Sequence, residues 1–65
     1  MVEFSAAVQA LREGKQVRFA GWSEGSAMYA DKNGQLMRTA NKGSNRPDYA
    51  WALTLKELTG KWIVL

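Results

Sequence analysis

The chain has 65 residues, a formal net charge of +3 and 46% hydrophobic residues, and it contains neither cysteine nor histidine. This composition predicts one small domain and excludes disulfide bonds and Cys/His metal sites. A domain of this size buries only about 60% of the surface that its unfolded chain exposes. We therefore expect a homo-oligomer, since association is the source of extra stability left to so short a chain.

The first predicted element is an amphipathic helix, because apolar side chains recur at the spacing of one helix face at Phe4, Ala7, Val8 and Leu11. Gly14 follows where a left-handed residue commonly ends a helix. Apolar and polar residues then alternate from Gln16 to Ala20, which predicts a half-buried strand followed by a turn over 21–26.

The Asn33-Gly34 pair predicts a β-hairpin with a two-residue type I′ turn, which needs positive φ at both residues. That turn pairs Tyr29 with Arg38 and places both side chains on one sheet face. Arg18 lies on the same face if its strand adjoins the hairpin.

Polar and helix-breaking residues fill 41–48, which we expect to be an exposed, mobile loop. A strand is predicted over 49–53. The spacing of Thr54 and Glu57 is that of a capping box and predicts one or two helical turns before a last strand at 61–65. In total, residues 1–65 are predicted to form one two-layer α+β domain, an N-terminal helix on an antiparallel sheet of about four to five strands.

Catalysis is not expected. General acid-base chemistry most often uses histidine or paired carboxylates, and the six acidic residues show no convergence in sequence. Serines without histidine lack the usual activating base. We expect no enzyme, no cofactor and no metal. The N-terminus lacks the features of a signal peptide, and no apolar run is long enough to cross a bilayer, so a soluble, cytoplasmic protein is expected.

Binding is the better prediction, because aromatic rings alternate with cationic side chains. Arg18, Tyr29 and Arg38 together could hold a base and a diphosphate, although an exposed cation–π pair is the simpler interpretation. Trp22 follows a glycine in a turn and either stacks on a ligand or plugs the core. Trp51 lies between two alanines and fits a pocket or the core equally well.

The basic residues are scattered along the chain, which is more typical of a solubilising surface than of a nucleic-acid footprint. A pI near 9.6 still favours anionic partners.

The two ends of the chain, about half of its length, resemble the second Thoeris anti-defence family. The matching pattern comprises the helix from Phe4 to Leu11 closed by Gly14-Lys15, the strand and turn from Val17 to Gly21-Trp22, and Trp51 followed by a capped turn into Trp62-Ile63-Val64. Members of this family are small phage sponges that bind cyclic nucleotide-derived immune signals, such as cyclic ADP-ribose isomers, without destroying them. The resemblance implies homotetramers with pockets between protomers, and it places Trp22, Arg18 and the loop before Trp51 at the pocket.

The expected function is therefore that of a non-catalytic sponge for a cyclic ADP-ribose isomer or cyclic oligonucleotide, acting as a dimer or tetramer in an infected host cell. The expected ligand-binding residues are Arg18, Trp22, Tyr29, Arg38 and Trp51. Two alternatives remain open: a small basic domain that binds single-stranded nucleic acid by stacking, and a structural or host-protein-binding phage module.

Overall fold

A computed structural model of the chain describes residues 1–39 and 46–65. Its elements are β1 (Val2–Glu3), α1 (Phe4–Arg12), β2 (Val17–Phe19), β3 (Met28–Ala30), β4 (Leu36–Arg38), β5 (Tyr49–Ala50), α2 (Leu55–Thr59) and β6 (Lys61–Val64). The strands form one antiparallel sheet in the order β1-β6-β2-β3-β4-β5. Helix α1 packs on one face of this sheet, so the predicted two-layer α+β fold is confirmed.

Within the described residues the sheet has six strands, because Val2 and Glu3, for which the sequence predicts no element, form an edge strand. Val2 pairs with Trp62 and Glu3 pairs with Lys61. Strand β6 consequently lies between β1 and β2 in the interior of the sheet.

The core lies between α1 and the sheet. Helix α1 contributes small side chains and one large one, and the strands contribute the bulk; the buried set is Ala7, Ala10, Leu11, Val17, Phe19, Met28 and Trp62. Trp62 is completely buried, and its ring centroid lies 5.5 Å from the centroids of both Phe4 and Phe19. Aromatic rings thus supply much of the buried volume that so short a chain can assemble.

The predicted C-terminus of α1 and the predicted N-terminus of α2 are confirmed. Gly14 adopts a φ of 82° directly after α1, and the backbone N–H of Lys15 reaches back to the carbonyl of Ala10 at 3.0 Å. At the start of α2, the side chains and backbone N–H groups of Thr54 and Glu57 form the reciprocal bonds of a capping box.

The predicted hairpin register is wrong by one residue. Tyr29 pairs with Met37, and Arg38 pairs with Met28. The reason is the turn: the Asp31 carboxylate accepts the backbone N–H groups of Asn33 and Gln35 at 2.9 and 2.8 Å, and only Gly34 of the Asn33-Gly34 pair has positive φ. This favours a longer turn with one left-handed glycine over the type I′ turn.

A one-residue slip moves every side chain of a strand to the opposite face. Arg38 therefore lies on the α1 side of the sheet with Met28, whereas Tyr29 lies on the other, open side. Arg18 is also on the open side, because Val17 and Phe19 on either side of it are buried in the core. Of the predicted loop at 41–48, residues 41–45 lie outside the described residues, and 46–48 are exposed.

Candidate functional site

The three tryptophans of the chain meet at one end of the core. The ring centroid of Trp22 lies 5.9 Å from that of Trp51 and 5.4 Å from that of Trp62, and both pairs meet edge to face. Trp62 is completely buried, whereas Trp22 and Trp51 are partly exposed. The rings of Trp22 and Trp51 therefore pack on the core and also reach the protein surface.

Arg38 packs its guanidinium group against these two partly exposed rings. Its Cζ atom lies 3.9 Å from the ring centroid of Trp22 and 4.5 Å from that of Trp51. A cation held against two aromatic faces gains about 0.5–2 kcal/mol, depending on how far it is desolvated. The position of Arg38 follows from the hairpin register, which turns this arginine toward the tryptophans.

The Nε atom of Arg38 is buried and has no hydrogen-bond acceptor within residues 1–39 and 46–65. No ion pair in the same parts of the chain involves Arg38. Leaving a buried donor unpaired costs about 1–3 kcal/mol, and more for a charged group. The guanidinium group thus has hydrogen-bonding capacity that the described residues do not use.

Glu57 links the same two tryptophans from within α2. Its Oε2 atom accepts the indole N–H of Trp22 at 3.0 Å, and its Oε1 atom accepts that of Trp51 at 3.2 Å. Oε1 also accepts the backbone N–H and the hydroxyl of Thr54 at 2.9 and 3.1 Å. The backbone carbonyl of Glu57 accepts the indole N–H of Trp62 at 2.8 Å, so this one residue bonds to all three indoles.

The residue Glu57 is only 5% exposed, and its surroundings hold it in the charged form. Desolvation alone would raise the pKa of its carboxyl group, but the hydrogen bonds from Thr54, Trp51 and Trp22 outweigh desolvation and lower the pKa below its usual 4.5. The charged carboxylate is therefore a stabilising part of the folded state.

This lowered pKa predicts a loss of stability in acid. Because the folded-state pKa lies below the unfolded value, the contribution is complete above about pH 4.5 and is lost as the pH falls through the folded-state pKa. Glu57→Gln should lower the unfolding free energy at pH 7 by about 1–3 kcal/mol and flatten its fall in acid. Urea unfolding from pH 7 to pH 3 measures both effects. Exposed Glu24→Gln is the matched control, and an equal acid slope in both variants would contradict the prediction.

The structure divides the predicted site residues into two groups. Trp22, Arg38 and Trp51 come together at the end of the core. Arg18 and Tyr29 lie on the opposite sheet face, so the predicted grouping of Tyr29 with both arginines is wrong. The cause is the hairpin register described above.

Arg18 and Tyr29 each make one hydrogen bond to a loop of the same chain. Arg18 donates from Nη1 to the backbone carbonyl of Glu24 at 3.0 Å, and the Tyr29 hydroxyl donates to Asp48 at 2.6 Å. The hydrogen bond to Asp48 also raises the pKa of Tyr29. These contacts tie loops to the open face of the sheet.

Sequence reasoning missed Glu57 as a member of this site. Its capping-box role was predicted, but its burial beneath two tryptophans was not, because only the tertiary fold brings Trp22 to α2. The available signal was the spacing of Trp51, Thr54 and Glu57, which places an indole close to a helix-capping carboxylate.

A groove lies between α1 and the β3–β4 turn, and no tryptophan lines it. This groove has a volume of about 820 Å³, and its apolar lining is formed mainly by Phe4, Val8, Leu11, Leu36 and Leu53. Arg12, Asp31 and Lys32 add charges to the lining. Trp22, Arg38 and Trp51 together form what we call the tryptophan site. None of these three residues lines the groove, so the groove and the tryptophan site are separate features.

Two further observations concern residues 1–39 and 46–65. They contain no cluster of acidic side chains that could hold a metal ion. No helix within them has the length and apolar character required to cross a membrane. Comparison of the chain with protein-family models, with curated proteins and with solved structures finds no match.

Proposed function

We propose that this protein is a non-catalytic sponge that binds and sequesters an anionic signal of the nucleotide class, a cyclic ADP-ribose isomer or a cyclic oligonucleotide. The observation that carries the proposal is the Arg38 guanidinium group, which packs against two partly exposed indoles and leaves a buried N–H without an acceptor in the described residues. A cation and flat apolar rings are the two features that a nucleotide needs for recognition.

The chemistry of the site suits a phosphate or diphosphate next to a base. Guanidinium groups recognise phosphate oxygens with paired N–H donors. Indole and phenol faces stack on bases of any sequence, and Tyr49, which is partly exposed, extends the aromatic surface with its ring centroid 6.1 Å from that of Trp51. The resemblance of the chain ends to the sponge family supports the cyclic nucleotide in particular.

The non-catalytic part of the proposal is supported by the residue types present. Hydrolysis of a glycosidic or phosphodiester bond needs an activated nucleophile and charge stabilisation at the reacting atom. The chain has no histidine or cysteine. The carboxylate of Glu57 already accepts four hydrogen bonds from Trp22, Trp51 and Thr54, so it is poorly placed to act as a base.

A homo-oligomer, a dimer or tetramer, acting in the cytoplasm of an infected cell is part of the same proposal. Large apolar side chains remain exposed on the isolated protomer: Leu55 is 76% exposed, and Leu58 and Leu65 are 43% and 52% exposed. Burial of such side chains between protomers would add stability to a 65-residue chain whose own core is small.

The alternative of single-stranded nucleic-acid binding is less favoured by the contacts. Such binding requires a basic groove lined by aromatic rings. On the open face of the sheet, one N–H of Arg18 donates to the backbone carbonyl of Glu24 and the Tyr29 hydroxyl donates to Asp48 instead. A steep loss of affinity with added salt would identify a polymer as the ligand.

The deciding experiment is a capture assay. The protein is incubated with a panel of cyclic ADP-ribose isomers and cyclic di- and trinucleotides, separated from free ligand and then denatured by heat. We expect mass spectrometry to recover one class of ligand unchanged, at a saturating ratio of ligand to protein. Turnover of excess ligand by a trace of protein would show an enzyme, and release of no panel member would refute the proposal.

A further inference from the structure

One carboxylate accepts hydrogen bonds from both indoles that pack against Arg38. Trp22 bonds to Oε2 of Glu57 and Trp51 bonds to Oε1, at 3.0 and 3.2 Å. The two rings stand at 90° to each other with their centroids 5.9 Å apart. The carboxylate therefore joins two segments that lie far apart in the sequence.

Packing alone does not determine this arrangement. Aromatic pairs are stable in both offset-stacked and edge-to-face geometries. An indole has a single N–H donor, so bonding that donor to a fixed acceptor restricts the rotation of the ring. Two such bonds to one buried carboxylate restrict both rings together.

We propose that Glu57 is the positioning residue of the tryptophan site: its carboxylate sets the angle between Trp22 and Trp51, and thereby the place at which Arg38 meets an anion. This inference rests on the proposed function for the identity of the ligand. The hydrogen bonds from the two indoles to Glu57 form without a ligand.

The surroundings of Glu57 suit this role. Its carboxylate accepts hydrogen bonds from the uncharged donors of Trp22, Trp51 and Thr54. Within the described parts of the chain, no ion pair joins this carboxylate to a cation. Lys56 on α2 and Lys61 on β6 are exposed, and Lys61 pairs with Glu3 at 3.6 Å. Replacing Glu57 with glutamine therefore breaks no ion pair and acts on the hydrogen bonds themselves.

The first test uses the unmodified protein without ligand. Hydrogen exchange of the three indole N–H groups is followed by NMR, with each resonance assigned from a Trp→Phe variant. We expect slow exchange for Trp22 and Trp51 despite their partial exposure. Exchange of either group as fast as that of a free indole would overturn the proposal.

The second test compares Glu57→Gln with Glu24→Gln, an exposed residue of the same type. The two indoles bond to different oxygens of Glu57, and a glutamine replaces one of these oxygens with an N–H₂ donor, so one indole loses its acceptor. In E57Q, we expect the chemical shifts of the Trp22 and Trp51 indole N–H groups to change. The chemical shift of the Trp62 indole should stay the same, because its acceptor is the backbone carbonyl of Glu57. Unchanged Trp22 and Trp51 resonances would overturn the proposal, and if E57Q does not fold, the exchange test decides.

The third test adds inorganic pyrophosphate as the probe for the Arg38 site. We expect E57Q to bind it about tenfold more weakly than the unmodified protein, equivalent to about 1.4 kcal/mol. The core variant Leu11→Val makes a small change in the same core cluster and removes no hydrogen bond to an indole, so it should bind pyrophosphate unchanged. Equal binding by E57Q, or equal weakening by L11V, would overturn the positioning role. Absence of binding to the unmodified protein would count against the proposed function, and the two ligand-free tests would still decide whether Glu57 holds the indoles.

Discussion

Replacement of Trp62 with alanine should abolish the cooperative unfolding transition. Trp62 is completely buried, its ring lies close to the rings of Phe4, Phe19 and Trp22, and its indole N–H bonds to the backbone carbonyl of Glu57. Truncation of a buried tryptophan costs about 3–5 kcal/mol. The total stability expected at about 0.05–0.15 kcal/mol per residue is of similar size for so short a chain.

Thermal unfolding followed by circular dichroism measures this effect. Lys56→Ala is the control, because Lys56 is an exposed residue of α2 and its truncation should change stability by less than about 0.5 kcal/mol. A sharp transition in W62A close to that of the unmodified protein would show that the core does not depend on this ring.

The second large effect is expected on binding. Arg38→Gln removes the guanidinium group and keeps most of the aliphatic stem. Because hydrogen bonds to charged groups contribute about 1.5–3 kcal/mol, we expect ligand capture to weaken about tenfold to a hundredfold. The fold should persist, since the variant loses only the stacking of a cation on Trp22 and Trp51. Isothermal titration with the ligand recovered in the capture assay measures the change.

Two arginines serve as comparisons for Arg38. Arg12→Gln changes an exposed charge on α1 and should leave capture unaffected. Arg18→Gln removes a cation from the open face of the sheet and should also have little effect. A loss of capture in R18Q with full capture in R38Q would move the binding site to the open face. Arg38 is a sharper probe than Trp22, because Trp22 also packs against Phe19 and Trp62 and bonds to Glu57.

The fold could be predicted from the sequence where a local signal decided the structure. Apolar spacing placed α1, Gly14 ended it, and Thr54 with Glu57 opened α2. The edge strand at Val2–Glu3 could not be predicted, because two residues carry no periodic signal and only pairing with β6 orders them. Local signals thus specified the helices better than the edges of the sheet.

The candidate site was harder to predict because it depends on the hairpin register. An Asn-Gly pair is compatible with two turn geometries, and the Asp31 side chain decides between them through its bonds to Asn33 and Gln35. The observed register places Arg38 on the face that carries apolar Met28 and Leu36. An arginine on an apolar face contradicts simple alternation, and its two tryptophan neighbours come from distant segments of the chain.

The interior position of β6 also governs how the domain can fold. Val2 pairs with Trp62, nearly the full length of the chain apart, and Phe19 pairs with the same tryptophan from the other side. A nascent chain that still lacks β6 has neither the ring that fills the core nor the strand that joins β1 to β2. High contact order slows folding, so this small domain should acquire its tertiary structure only after β6 has left the ribosome.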